Sequence, residues 1–276
     1  MAFGHATSAQ DGETGELDCV IEPKQTVKLG SAADGILSDV MVERGDIVKK
    51  GDEVAKLDSE LERLAADLAR LKAERDVEVE AGKARLEFRQ REVERVAELR
   101  DRNLASEKVF EGAKIEQQLA QFGVGAAEMD KRIAGVEHKH ADARLDRRTV
   151  RSPVDGIVVN LMMSPGEFVN EQTPIMNIAQ VNPLHVEVFV PIMRYKDILP
   201  GMQAEVMPDP PVGGVHKAWV KVVDRLFDTA SGTFGVRLIL QNKNYEIPAG
   251  AKCRVRFLAD APILSETELS KRLSAN

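Results

Sequence analysis

The chain of 276 residues is poor in aromatic side chains: 4% in all, with one Trp and two Tyr. It has two cysteines, Cys19 and Cys253, too few for a disulfide framework or a structural zinc site. They can pair only where the fold brings their Cα atoms within about 7 Å. No run of about 18 apolar residues occurs, so no helical segment of this sequence spans a bilayer. Basic residues do not dominate: the net charge is −7, which excludes a broad nucleic-acid-binding face. Proline is absent from residues 58–148. What is abundant is charge, at 30%, against an apolar fraction of 43%. High charge with few aromatics points to long solvated helices more than to a compact enzyme core.

An ungapped internal repeat stands out. With Ser31 set over Ser152, an offset of 121, the two copies run 28 positions with seven identities. Asp34-Gly35-Ile36 falls on Asp155-Gly156-Ile157, Met41 on Met162, Gly45 on Gly166 and Val48 on Val169. Each copy carries a short apolar run, Ile36 to Val42 or Ile157 to Met163, between an Asp-Gly turn and a Gly turn. Each copy therefore reads as about four short strands, half of a small β-sandwich, and two halves must pack face to face to bury their apolar sides.

The segment between the halves has helical grammar. Ile115, Leu119, Phe122, Ala126, Met129, Ile133, Val136, His140 and Ala143 step by alternate fours and threes, a heptad seam that predicts a left-handed coiled coil. On the ascending side Leu61, Leu64, Leu68 and Leu71 open a similar seam, which weakens through Gly82 and resumes at Leu86, Val93, Val96 and Leu99. Ser59 with Glu62 offers a capping box, Asn103 a left-handed C-terminal cap and Ser106 an N-cap for the returning helix. Two helices of about 40 residues make a hairpin of roughly 60 Å. Its equal arms return the chain to its starting point.

Residues 184–258 alternate again in five to six short antiparallel strands after Asn182-Pro183, enough for a small barrel. The expected fold is thus mixed α and β, elongated and multi-domain: a split β-sandwich interrupted by a long antiparallel α-helical coiled-coil hairpin, followed by a small antiparallel β-barrel. The expected divisions are a disordered tail at 1–18, sandwich half one at 19–58, the hairpin at 59–148 with its tip at about 100–107, half two at 149–181, the barrel at 182–260 and a polar tail at 261–276. Small residues at Thr7-Ser8-Ala9 suit a signal peptidase, although no complete signal peptide is present. Two readings stay open: a signal sequence of which only the end is present, or an ordinary polar tail.

This order, with Val42-Glu43-Arg44-Gly45-Asp46 in the first half and Thr149-Val150-Arg151-Ser152-Pro153 re-entering the second, resembles the periplasmic adaptors, or membrane fusion proteins, of the HlyD type. The resemblance covers residues 19–258 and implies that the split β-sandwich is lipoyl-like. It extends to the tip, where Arg95, Leu99 four residues on and Ser106 seven further keep the spacing of tripartite efflux adaptors. The resemblance implies that these three residues dock on a TolC-type outer-membrane channel. It also implies an inner-membrane transporter as partner, of the resistance-nodulation-division class more than the ABC class, and assembly of the adaptor into a ring. The implied location is the periplasm, at the inner membrane. The membrane-proximal domain that many such adaptors build from both termini has no counterpart in this sequence.

No chemistry is expected. A lipoyl or biotinyl carrier would present a Lys where this chain has Leu57-Asp58-Ser59-Glu60, so no covalent cofactor is expected. A coiled-coil scaffold without a transport role is the other alternative. His138 and His140 lie about 200° apart on a helix and cannot share a metal, and His140 falls on the heptad seam. Met162 and Met163 face opposite sides of a strand. Asp34 and Asp155 are turn residues. No catalytic, cofactor-binding or metal site is assigned.

Overall fold

The computed structural model describes residues 15–259, 261–265 and 268. The Thr7-Ser8-Ala9 segment lies outside them, as does most of the C-terminal tail. In chain order the elements are β1 (Leu17–Gly30), β2 (Gly35–Val40), β3 (Ile47–Val48), β4 (Glu53–Leu57), α1 (Glu60–Glu74), α2 (Val77–Asp101) and α3 (Glu107–Asp146). There follow β5 (Thr149–Arg151), β6 (Gly156–Leu161), β7 (Phe168–Val169), β8 (Pro174–Pro191), β9 (Gln203–Pro208), β10 (His216–Asp228), β11 (Thr233–Leu240) and β12 (Lys252–Phe257). The architecture is the expected one: a split β-sandwich, a helical hairpin and an antiparallel barrel.

The two repeat halves interlock strand by strand. One layer is β5-β4-β2-β7 and the other is built from β3, β6, β8 and the end of β1, so each layer draws strands from both halves. The turns explain the shared residues. Gly45 and Gly166 have φ of 98° and 93°, and each donates its backbone N–H to the other half, to Val158 O and Leu37 O respectively, at 2.8 Å. Asp34 and Asp155 are exchanged in the same way. The Asp34 carboxylate accepts from Glu171 N at 3.1 Å, and the Asp155 carboxylate accepts from Lys50 N at 2.8 Å. Buried Ser31 and Ser152 close identical two-residue loops onto Ala33 O and Val154 O, both at 2.6 Å. Leu37, Val54, Leu57, Ile175, Met176 and Ile178 fill the space between the layers.

The barrel is closed by six strands in the order β1-β12-β9-β10-β11-β8, with β8 returning to β1. Its first strand lies outside the range expected from sequence. Residues 17–23 of β1 pair with β12 and β8, and Cys19 and Ile21 sit in the barrel core, whereas residues 25–30 pair with the sandwich part of β8. Asn182-Pro183 does not turn the chain; it lies inside β8, which runs unbroken from sandwich to barrel alongside β1. Two shared strands thus join the β-domains. Cys19 and Cys253 face each other across β1 and β12 with Cα atoms 4.9 Å apart and form a disulfide. Beyond β12, Leu264 donates its N–H to Gly201 O at 3.1 Å, which ties the start of the C-terminal segment to the barrel.

His185, half-buried on β8, has its pKa lowered, first by desolvation and then by the neighbouring Arg237 guanidinium. Below the unfolded value of 6.5 the unfolded chain binds the proton more readily than the folded one. Its contribution is therefore complete above that pH and is lost as pH falls through the folded value. Thermal unfolding across this window is expected to show a midpoint that falls on acidification, with a shallower fall in His185→Gln. An identical pH slope in the variant would rule the effect out.

The hairpin departs from expectation in three respects. The ascending arm is two helices, broken at Arg75–Asp76, where Arg75 is extended. Inward positions run Glu62, Ala66, Ala69, Ala73 and then Val79, Gly82, Leu86, Arg89. The step from 73 to 79 is one residue short of two heptad steps, so a continuous helix would rotate the seam away from α3. At the base, Ser59 makes no side-chain cap; Glu62 instead holds Arg148, at 2.5 Å, and Arg148 also donates to Asp34 O at 2.7 Å.

The third departure concerns the seam itself. On α3 the helix-facing residues are Phe110, Ala113, Gln117, Ala120, Val124, Ala127, Ala134, His138, Ala141 and Leu145. Every residue of the large apolar heptad lies two positions on, about 200° round the helix. Phe122 is 64% exposed, Ile133 51% and Val136 66%, and on α1 Leu61 is 78% exposed. The hairpin is closed mainly by alanines, which admit close helix approach, with Val79, Leu86, Phe110, Val124 and Leu145 among them, while the large apolar residues of the α3 heptad stay outside. His138, not His140, occupies the inward seam.

Candidate functional site

The far end of the hairpin is built by the last turn of α2 and the first of α3. Asn103 adopts φ 59°. Leu104 N donates to Leu99 O and Asn103 N to Arg100 O, both at 2.8 Å. This is a Schellman closure, and it places Leu104 next to Leu99 across the cap. Leu99 is 38% exposed and Leu104 72%, and Val109 on the first turn of α3 is exposed as well. The tip therefore ends in a small apolar cap formed by both helices.

Arg95 lies one turn before Leu99 on the same side of α2. It is exposed and makes no ion pair among the described residues. Ser106 has the extended backbone of an N-cap (φ −82°, ψ 154°), and its carbonyl accepts the first helical bonds, from Val109 N at 3.0 Å and Phe110 N at 3.3 Å. Its hydroxyl makes no capping bond, so the expected cap is made by the backbone alone and the exposed hydroxyl stays available to another molecule. Arg95 and Leu99 share a helix face, and Ser106 stands across the turn from them.

Two further residues hold this geometry and are not signalled by the tip spacing. Arg100 stacks on the buried Phe110 ring at 4.0 Å, with Lys114 against the same ring at 4.5 Å. Arg100 also pairs with Asp101 at 2.9 Å and reaches Glu107 at 3.8 Å, so it clamps the two helices across the turn. Extending the alanine seam back from Ala113 by three residues finds Phe110; the apolar heptad does not. Among the described residues no cluster of His, Cys, Asp or Glu could hold a metal ion, and no helix is long and apolar enough to cross a membrane.

Residues 25–180, more than half of the chain, match the family model described as CzcB-like, barrel-sandwich hybrid domain. The chain belongs to this family. The CzcB-like match spans both repeat halves together with the hairpin inserted between them. The crystal structure of MacA from Actinobacillus actinomycetemcomitans is similar at a TM-score of 0.72, with 19% identity over 89% of this chain and 81% of that one. The membrane fusion protein Spr0693 from Streptococcus pneumoniae R6 gives a TM-score of 0.60, with 14% identity over 89% of this chain and 99% of that one. At these identities the likeness is one of fold. A UPF0194 membrane protein from Acidithiobacillus ferridurans is 32% identical over 69 residues, 25% of this chain and 20% of the relative. The matched stretch is thus a fifth of that curated relative's length. Family match and fold agree with the architecture of a split sandwich, hairpin and barrel that the sequence resemblance implies for this CzcB-like chain.

Proposed function

We propose that the chain is the periplasmic adaptor of a tripartite efflux or secretion system, linking an inner-membrane transporter to a TolC-type outer-membrane channel. Its role is geometric and not catalytic. The observation that carries the reading is a hairpin whose α3 alone is 40 residues, about 60 Å, capped by an apolar tip with an exposed Arg95 that makes no ion pair among the described residues and an uncommitted Ser106 hydroxyl. Such an end suits docking against the helix ends of a channel, with Leu99 and Leu104 as apolar anchors and Arg95 as a charged donor. The Cys19–Cys253 disulfide supports an oxidising compartment. Copies arranged as a ring would multiply weak single-tip affinities through avidity.

The test is complementation of a strain lacking the adaptor. Leu99→Asp and Arg95→Asp are expected to abolish export and tip-to-channel cross-linking while leaving protein level and helix content unchanged. An anchor of this kind contributes about 2 kcal/mol or more per copy, about thirtyfold in affinity. Full export with both substitutions would sink the docking role and leave the hairpin as a spacer.

A further inference from the structure

The barrel leaves apolar side chains outward at one of its ends. β8 and β1 pass into the sandwich at the other end, so this distal end is where β8 stops at Pro191, β1 starts at Leu17 and β10 turns into β11 at 228–233. β8 and β9 lie on opposite sides of the barrel, so the link between them, residues 192–202, crosses the distal mouth. Ile198 and Met202 turn into the core, and Tyr195 packs edge-on against Phe227 and Phe234 at 4.9 and 5.2 Å. The outer side of the link keeps Met193 92% exposed and Leu199 exposed as well. Leu226, beside Phe227 in the chain, is 85% exposed, and Ile263, which lies against Gly201, is exposed too. Single apolar residues on a surface need no explanation, whereas a group of them at one end of a barrel marks a face that something covers.

The chain itself returns to this end after β12. Leu258 N donates to Gln203 O at 3.0 Å, and Leu264 N donates to Gly201 O at 3.1 Å. Ser265 and Glu268 then form a reciprocal capping box: Ser265 N donates to Glu268 Oε2 at 3.0 Å and Glu268 N donates to Ser265 Oγ at 3.4 Å. A capping box starts a helix. Half-buried Leu264 stands just before the cap and Leu269 four residues after it, the two positions of a hydrophobic staple. Leu273 follows one turn later on the same face, and Glu268 and Arg272 have the i,i+4 spacing of a favourable pair. A helix of about eleven residues is marginal in water by itself, so it needs a surface for its two leucines.

We propose that residues 266–276 form a short amphipathic helix that folds back over the distal end of the barrel, with Leu269 and Leu273 against Met193, Leu199 and Leu226. The tether at Gly201 starts the segment at the apolar rim, and the staple sets which helix face turns inward. Leu273 then lies about 12 Å from the cap, close to the diameter of a barrel of six tilted strands about 4.8 Å apart. The occupant belongs to the same chain, so the cover forms at any protein concentration. The inference rests on the barrel alone and not on the adaptor reading above.

Hydrogen exchange read by mass spectrometry on the full chain tests this. The amides of residues 269–274 are expected to exchange about tenfold or more slowly than in a free peptide of residues 262–276. Leu269→Asp with Leu273→Asp is expected to remove that protection. Met193→Asp with Leu199→Asp, at exposed positions on the barrel side, is expected to remove it as well, while β8 and β11 amides keep theirs and show that the barrel is intact. Exchange at the free-peptide rate in the unmodified chain overturns the proposal. Protection unchanged in the barrel-side variant also overturns it, because the helix then rests on another surface. Protection that falls on dilution marks a second copy as the occupant, and protection that arises only with phosphatidylglycerol–phosphatidylcholine vesicles marks a lipid surface; either result overturns the cover within one chain.

Discussion

Gly156→Ala is expected to destabilise the sandwich by more than about 3 kcal/mol, whereas Gly35→Ala, the same change at the repeat-related position, is expected to cost markedly less. A Cβ on Gly156 would stand 2.4 Å from Ala179 O and 2.9 Å from Ala179 C, atoms of the β8 backbone. That backbone pairs with β6 on one side and β1 on the other, so it cannot yield without breaking ladders to both. A Cβ on Gly35 would press at 2.5 Å on Arg148 Nη1, the far end of a flexible side chain. It would lose the Arg148 bridge to Asp34 and Glu62 but leave the sheet intact. Denaturant unfolding of the two variants separates the cases. Equal losses would show that the repeat halves tolerate crowding alike and that the close approach of β6 to β8 does not govern stability.

The second large effect is expected at the disulfide. Cys19 and Cys253 are 4% and 2% exposed and 234 residues apart, and they join the first and last strands of the barrel. Without the bond this seam is held by ladder hydrogen bonds, core packing and the exposed Arg254–Glu16 pair at 3.1 Å, between strands near the two ends of the described chain, where fraying begins. The double variant Cys19→Ala, Cys253→Ala is expected to lose about 2–5 kcal/mol. Reductant is expected to bring the unmodified protein to the variant's unfolding midpoint and to leave the variant unmoved. Coincident midpoints for variant and oxidised protein would overturn the prediction.

Much of this architecture is legible in the residues. The 121-residue offset, the turn glycines and the proline-free insert dictate two interlocking half-sandwiches around a hairpin, because Asp-Gly turns and heptad steps have few alternative conformations. Arg95, Leu99 and Ser106 are found by spacing, and Asn103 by its tolerance of positive φ.

Three features are decided only in three dimensions. Asp34 and Asp155 are recognisable as turn residues, yet each caps a loop of the opposite half, a pairing set by how the halves interlock. The strand that closes the barrel comes from residues 17–23, because β1 is long enough to serve both β-domains. The heptads announce that a helix face must be covered but not by what. Alanines two positions away permit a closer hairpin, and the bulkier face is left outward, where Leu61, Phe122 and Ile133 remain exposed. Periodicity determines that a face exists; the distance at which two backbones can pack determines which face the chain keeps for itself.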